Sequence, residues 1–171
     1  MADSQATNDR YEIGRAVDAD VDGILRVQEP NLPEHGGTLS VRFSRDWFLR
    51  AIAAMPVIVA RERGQVVGYL VSSPLEAYAD VPIIQATLRA YPGRPGAYFY
   101  GPLCVDARHR GHHLSAAMFA ALRKLLPGRE GIFFLRRDNT VSVYVHREMG
   151  IPEVASFTYE GVDYAVCAYI G

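Results

Sequence analysis

The densest cluster of side chains that could do chemistry is a short basic segment past the middle of the chain. Five such side chains occur within six positions: Arg108, His109, Arg110, His112 and His113. Gly111 interrupts them, an apolar run (97–105) precedes them, and a run with helical spacing (114–125) follows. The first N–H groups of a helix lack intrahelical partners, and the helix dipole adds positive charge there. The order strand, glycine turn, helix therefore predicts a phosphate-binding site.

The same segment holds three of the five histidines, which raises the alternative of a metal site. One imidazole would have to leave the helix start to converge with the other two, and no cysteine is spaced to complete the set. We therefore expect no metal.

The overall charge limits the classes of partner. The 171 residues include 18 Lys plus Arg and 19 Asp plus Glu, which gives a formal net charge of −1. Binders of nucleic acid or of membrane surfaces usually carry a broad basic excess, so we expect neither partner. The longest apolar run, 51–60, is far shorter than the roughly 20 residues of a membrane-spanning helix.

The cysteine content and the polar start of the chain indicate the compartment. Cys104 and Cys167 are the only two cysteines, too few for a disulfide scaffold, which makes a reducing compartment the default expectation. Residues 1–10 contain no hydrophobic stretch and are expected to form a loose tail. A soluble, cytoplasmic protein is the expectation.

The elements that position the basic segment follow from hydrophobic periodicity and turn residues. Helices are predicted at about 18–28, 44–55, 82–91, 114–125 and 139–149. Strands are predicted at 11–16, 57–63, 65–73, 97–105, 132–135, 154–159 and 162–170, with a tight turn at Arg63 and Gly64 between the second and the third. This order predicts one α/β domain over 11–171 with a mixed sheet and a helical insertion at about 74–95.

The basic segment resembles the pyrophosphate motif of the GNAT N-acetyltransferase family, which reads Arg or Gln, two residues, Gly, one residue, Gly or Ala. Arg108 and Gly111 match this motif, and His113 stands at its last position. In the longer form, Arg-Gly-x-Gly-x-Gly or Ala, Arg110 and Gly111 match, while His113 and Ser115 replace small residues. Farther along, Asn139, Ser142, His146 and Gly150 fit the spacing of a later family motif, Asn-x-x-Ala with Tyr and Gly-Phe beyond.

This resemblance implies a mixed, mostly antiparallel central sheet flanked by helices, with strands four and five splayed apart. It also implies transfer of an acetyl group from the cosubstrate acetyl-CoA to a primary amine, by direct attack in a ternary complex. The acceptor would be a small molecule or a peptide, and a homodimer stays open. In the implied sheet order strand five separates Cys104 from Cys167 by about 10 Å or more, so we expect both to be free thiols. The residues implied to bind acetyl-CoA are Leu103, Cys104, Val105, Arg108, Arg110, Gly111, His112, His113, Leu114, Ser115 and Asn139.

Two catalytic roles are also implied. Many members have a tyrosine that protonates the departing thiolate, and this chain has His146 there, with Tyr144 as the competing donor. At about 100° per residue the two lie roughly 200° apart on a helix, so both cannot face one thiolate. Many members have a glutamate early in strand four that acts as the general base. This chain has Tyr-Phe-Tyr there, at 98–100. Three candidates stay open for the group that removes the proton from the acceptor amine: water, Glu76 and Asp106.

A non-catalytic domain that binds coenzyme A, or regulates through it, is the competing function. Three departures favour it: the lost motif glycines, the missing tyrosine and the unplaced base.

Overall fold

The computed structural model describes residues 10–171, so the expected tail lies outside the described residues except for Arg10. The strands are β1 (Tyr11–Arg15), β2 (Val57–Glu62), β3 (Gln65–Pro74), β4 (Tyr98–Val105), β5 (Glu130–Arg136), β6 (Glu153–Tyr159) and β7 (Val162–Ile170). The helices are α1 (Val21–Gln28), α2 (Arg45–Ala54), α3 (Pro82–Ala90), α4 (Leu114–Leu125) and α5 (Thr140–Glu148). The predicted order of helices and strands is confirmed.

The seven strands form one sheet in the order β1-β2-β3-β4-β5-β7-β6. The described pairings of β1 with β2, β2 with β3, β5 with β7 and β6 with β7 are antiparallel, whereas β4 and β5 run parallel. This is the predicted mixed, mostly antiparallel sheet. The β4–β5 register consists of two pairs, Tyr98 with Gly131 and Phe99 with Ile132. Pairing therefore ends before Tyr100, as expected for splayed strands.

The chain divides into two compact units. Within the described residues, the first unit is 10–72 with Pro102–Leu125, and the second unit is Ser73–Gly101 with Leu126–Gly171. Whether they behave as the expected single domain stays a prediction.

In the first unit, α1 and α2 pack on the sheet through an apolar core. Val21 and Ile24 of α1 are buried, as helical periodicity predicts, and Val27 is buried with them. Val17, which the same periodicity places on this face, is 56% exposed because it precedes the helix. The Ser44 side chain accepts a hydrogen bond from the Trp47 backbone N–H and caps α2. These contacts fix the helices that precede the β2–β3 hairpin.

The second unit contains a smaller core beneath α3, with Ile132 and Val166 completely buried. β5 begins two residues earlier than predicted, because the buried Glu130 carboxylate finds partners. It accepts hydrogen bonds from the Tyr91 hydroxyl at 2.7 Å and from the Arg94 backbone N–H at 2.6 Å. A buried carboxylate with two donors is tolerated inside a strand. The expected insertion is a short turn, Leu75–Tyr78, followed by α3.

The described helices are all too short or too polar to cross a membrane.

Candidate functional site

The turn that leads into α4 depends on a glycine. Arg110 has φ −68° and ψ 157°, and Gly111 follows with φ 79°. This pair has the geometry of a type II turn, whose third position requires positive φ and therefore favours glycine. The backbone conformation at position 111 therefore favours glycine, whatever the ligand.

The start of α4 presents unpaired backbone donors. The first described α-helical hydrogen bond of α4 runs from the Ala117 N–H to the His113 carbonyl, at 3.0 Å. The N–H groups of residues 114–116 precede it and have no intrahelical acceptor. Because the Leu114 side chain is buried and Ser115 is half-buried, this end of the helix offers an anion mainly its backbone.

His113 adopts a conformation that glycine takes more easily. Its φ of 57° places the backbone of a residue with a side chain in the left-handed region. This position is the one where the resembled motif has a small residue. The backbone therefore keeps the glycine-like geometry although the side chain has changed.

The two arginines of the segment differ in their partners. The Arg108 guanidinium, 83% exposed, lies 2.9 Å from an Asp106 carboxylate oxygen, and its hydrogen bonds lower the pKa of that carboxyl. Arg110 instead donates to the neutral side-chain oxygen of Asn31 at 3.0 Å. Since its partner carries no charge, Arg110 adds more positive potential to the turn than Arg108 does.

Two histidines of this segment pack against β1, and the third is exposed to solvent. The His109 ring is buried, with Nδ1 3.1 Å from the Tyr11 hydroxyl. The His112 ring lies 5.6 Å from the Tyr11 ring, centroid to centroid, whereas His113 is exposed. His109 and His112 therefore hold the turn against β1. Within residues 10–171, no cluster of three or more His, Cys, Asp or Glu side chains is arranged to bind a metal.

The end of β4 contributes backbone rather than side-chain chemistry. The Cys104 side chain lies in the core of the first unit, and burial raises the pKa of its thiol to about 12. Leu103 and Val105 are half-buried. Burial also raises the pKa of Cys167, to about 11, and both cysteines are free thiols, as predicted.

In the second unit, His146 of α5 is buried between aromatic rings. Its ring centroid lies 5.6 Å from that of Tyr100 and 4.7 Å from that of Phe133. Nδ1 lies 2.8 Å from the Ser142 carbonyl oxygen and Nε2 lies 3.2 Å from the Tyr100 hydroxyl. Burial lowers the pKa of His146, and the Ser142 carbonyl opposes this in part.

The other two predicted residues of α5 lie in different surroundings. Tyr144 is 64% exposed, whereas His146 is 5% exposed, in keeping with their expected separation around the helix. The Asn139 side-chain oxygen accepts from the Ser142 backbone N–H at 3.2 Å and caps the helix. Only the Asn139 side-chain nitrogen is left to donate to a ligand.

Tyr100 is a residue to which sequence reasoning assigned no part in proton transfer. Alternation along β4 places it on the same face as Tyr98, and both side chains are buried. The Tyr98 hydroxyl pairs with the Tyr169 hydroxyl, and Tyr100 meets His146. Nothing in the local sequence distinguishes these two tyrosines, because the difference arises from the packing of α5.

The chain resembles proteins of one family over most of its length. Residues 21–151 match the acetyltransferase (GNAT) family. No curated protein sequence matches the chain.

Solved structures share the fold. An N-acetyltransferase from Staphylococcus aureus is 18% identical, with 94% of this chain and 98% of that chain covered and a TM-score of 0.68. A ribosomal-protein-alanine N-acetyltransferase from Brucella melitensis is 20% identical, with coverages of 93% and 99% and a TM-score of 0.64. A phosphinothricin acetyltransferase from Sinorhizobium meliloti, solved in complex with AcCoA, is 20% identical, with coverages of 94% and 88% and a TM-score of 0.67.

Proposed function

Because the chain belongs to the acetyltransferase (GNAT) family, we propose that it transfers an acetyl group from acetyl-CoA to a primary amine. The amine attacks the thioester directly in a ternary complex. The observation that carries this proposal is the start of α4, where unpaired N–H groups follow the Gly111 turn. Such a helix start binds a pyrophosphate without a dedicated lysine.

The segment 108–115 holds the pyrophosphate of the cosubstrate. Backbone N–H groups of Gly111 and of residues 112–115 donate to it, and Arg110 and Arg108 add positive charge. This role tolerates the side chains of His113 and Ser115, because any residue except proline retains its amide.

The pantetheine arm lies along the end of β4. The backbone of Leu103, Cys104 and Val105 provides amide and carbonyl partners, and an N–H there polarises the thioester carbonyl. The pairing of β4 with β5 that ends after Phe99 supports this placement. The side-chain nitrogen of Asn139 is proposed separately as a donor to the cosubstrate.

His146 is the proposed proton-transfer group, and Tyr144 is the competing one. The burial of His146 among rings and its hydrogen-bonded nitrogens support the choice, since a catalytic group is held in one orientation. As general acid it must first become an imidazolium, because the proton of the neutral ring faces the Ser142 carbonyl. Tyr144, on the exposed side of α5, lacks such fixation.

The competing function is a non-catalytic domain that binds coenzyme A. One observation favours it: hydrogen bonds already engage both nitrogens of His146. The acceptor is proposed to be a small-molecule or peptide amine, and a cytoplasmic setting is supported by the two free, buried thiols.

Two experiments test these functions in order. Calorimetry with acetyl-CoA is expected to show binding that desulfo-CoA reproduces, and no binding would overturn both functions. A panel of small amines, amino acids and peptides is then assayed for release of the CoA thiol. Turnover with any amine supports the transferase, whereas binding without turnover across the panel supports the non-catalytic domain.

A further inference from the structure

Hydrogen bonds inside the second unit define where the His146 ring carries its proton. Nδ1 lies 2.8 Å from the carbonyl oxygen of Ser142, one turn earlier in α5. A carbonyl oxygen only accepts, so Nδ1 must be protonated. In the neutral ring Nε2 is then a lone-pair acceptor, and the Tyr100 hydroxyl at 3.2 Å must donate to it.

The groups that face the ring within this unit come from three elements. β4 contributes the Tyr100 phenol, β5 the apolar Phe133 ring, and α5 the Ser142 carbonyl with its hydroxyl 3.4 Å from Nδ1. The Tyr100 ring is itself packed, with centroids 4.6 Å from Phe133 and 5.7 Å from Tyr169. This packing keeps the phenol oxygen at Nε2.

We propose that Tyr100 is a positioning residue for His146. With the Ser142 carbonyl, its hydroxyl holds the neutral imidazole with the proton on Nδ1 and the lone pair on Nε2. When His146 takes up a proton at Nε2, the Tyr100 hydroxyl turns from donor to acceptor of that N–H, so Tyr100 stays neutral and the imidazolium keeps the same orientation. Loss of the Nε2 proton restores the resting ring. The catalytic use of this pair rests on the proposed function, whereas the tautomer does not.

Two matched variants isolate the hydroxyl. Tyr100→Phe removes it and keeps the packed ring. Tyr98→Phe removes a buried hydroxyl from the same face of the same strand, but that hydroxyl pairs with Tyr169 rather than His146. Any general loosening of the core affects both variants, whereas loss of positioning affects only the first.

The tautomer is read from long-range ¹H–¹⁵N spectra of the full-length, ligand-free protein. His146→Asn assigns the ring signals among the five histidines. At pH 8 we expect a protonated Nδ1 and an unprotonated Nε2. Tyr100→Phe moves the Nε2 signal toward that of an unbonded imine nitrogen, and Tyr98→Phe does not. A proton on Nε2, or equal effects of the two variants, overturns the proposal.

A pH titration of the same signals gives a second readout. In Tyr100→Phe the midpoint of His146 falls by about one pH unit, because the imidazolium loses its acceptor at Nε2 and hydrogen bonds to charged groups are the stronger ones. Tyr98→Phe changes the midpoint by less than about 0.3 unit. A midpoint in Tyr100→Phe equal to that of the wild type contradicts the role.

Activity connects the pair to turnover. With an accepted amine, Tyr100→Phe lowers kcat by about tenfold to hundredfold and leaves the KM for acetyl-CoA within about threefold. In the pH–rate profile, the limb controlled by the ionisation of His146 moves by about one pH unit, as the NMR midpoint does. Unchanged kcat and profile overturn the positioning role but not the transferase. If the wild type shows no turnover, the proposed transferase function is overturned. The NMR spectra still decide whether the neutral His146 ring carries its proton on Nδ1.

Discussion

The α4 start and the His146 pocket are built in opposite ways for the tasks we propose for them. At the α4 start, segment 108–115, the proposed ligand contacts are backbone amides at an exposed turn, so most side chains there can change. In the His146 pocket, defined by His146, Tyr100, Phe133 and Ser142, buried side chains bond one another in a fixed arrangement. We therefore expect departures from the family motif to affect binding little in the first region and catalysis strongly in the second.

The two regions also differ in their electrostatics. Arg108 and Arg110 act at an exposed surface, where salt screens their charges. His146 is shielded, and burial lowers its pKa. Charge is the main variable at the α4 start, and protonation state is the main variable in the pocket.

The largest expected effect comes from the pocket. His146→Asn should lower kcat by about 10²–10⁴-fold, the usual contribution of a general acid or base, with little change in acetyl-CoA binding. Tyr144→Phe, on the exposed side of the same helix, should change kcat by less than about threefold. Steady-state assays with calorimetry decide it. If the Tyr144 variant loses as much, the assignment of the two residues is reversed.

At the α4 start, reversing the charge should matter more than removing a side chain. Ser115→Glu places a carboxylate beside the bound pyrophosphate and should raise the Kd of acetyl-CoA by about 100-fold. The helix itself should be unharmed, because an acid in the first turn is favourable. Ser115→Ala is the control, with a Kd within about threefold of the wild type. Calorimetry and thermal denaturation measure both, and a similar Kd for the two variants would place the pyrophosphate elsewhere.

The two arginines should contribute differently to acetyl-CoA binding, because their side chains have different partners. Arg110→Met should raise the Kd of acetyl-CoA about tenfold, since its guanidinium faces a neutral amide. Arg108→Met should raise it by about threefold or less, because Asp106 already offsets that charge. Titrations at low and high salt give the comparison, and the difference should shrink as salt rises. A larger loss from the Arg108 variant would contradict the pairing argument.

The smallest expected effect tests backbone tolerance. His113→Gly should raise the free energy of unfolding by about 0.5–1 kcal/mol, because glycine adopts φ 57° without strain. The Kd of acetyl-CoA should stay within about twofold, since the amide is retained. His112→Gly is the contrasting variant and should destabilise, because it removes the contact with Tyr11. Denaturant unfolding distinguishes them, and a less stable His113 variant would point to a packing role for that imidazole.

Most of the fold is predictable from local patterns. The α1 spacing of Val21 and Ile24 predicts a buried helical face, and Ser44 predicts the start of α2. The predicted Arg63–Gly64 turn joins β2 to β3, with φ of 49° and 78°. These features depend on neighbours in sequence. The early start of β5 was not predictable, because Glu130 is accommodated by partners 36 and 39 residues away.

The candidate site divides in the same way. The turn at Gly111 and the helix that begins at Leu114 follow from residue types alone, because turn geometry and helix ends are local. The sequence cannot separate His109, which packs against Tyr11, from the exposed His113. That separation depends on where β1 lies.

By itself, then, the sequence determined the order of helices and strands, the residue types on which the proposed phosphate site at the α4 start rests, and the presence of a histidine where the resembled motif has a tyrosine. The tertiary structure alone decided that this histidine meets Tyr100, 46 residues earlier, and that its proton faces the Ser142 carbonyl. The physical reason is that periodicity assigns a residue to a buried face, whereas its hydrogen-bond partner there depends on how distant elements pack.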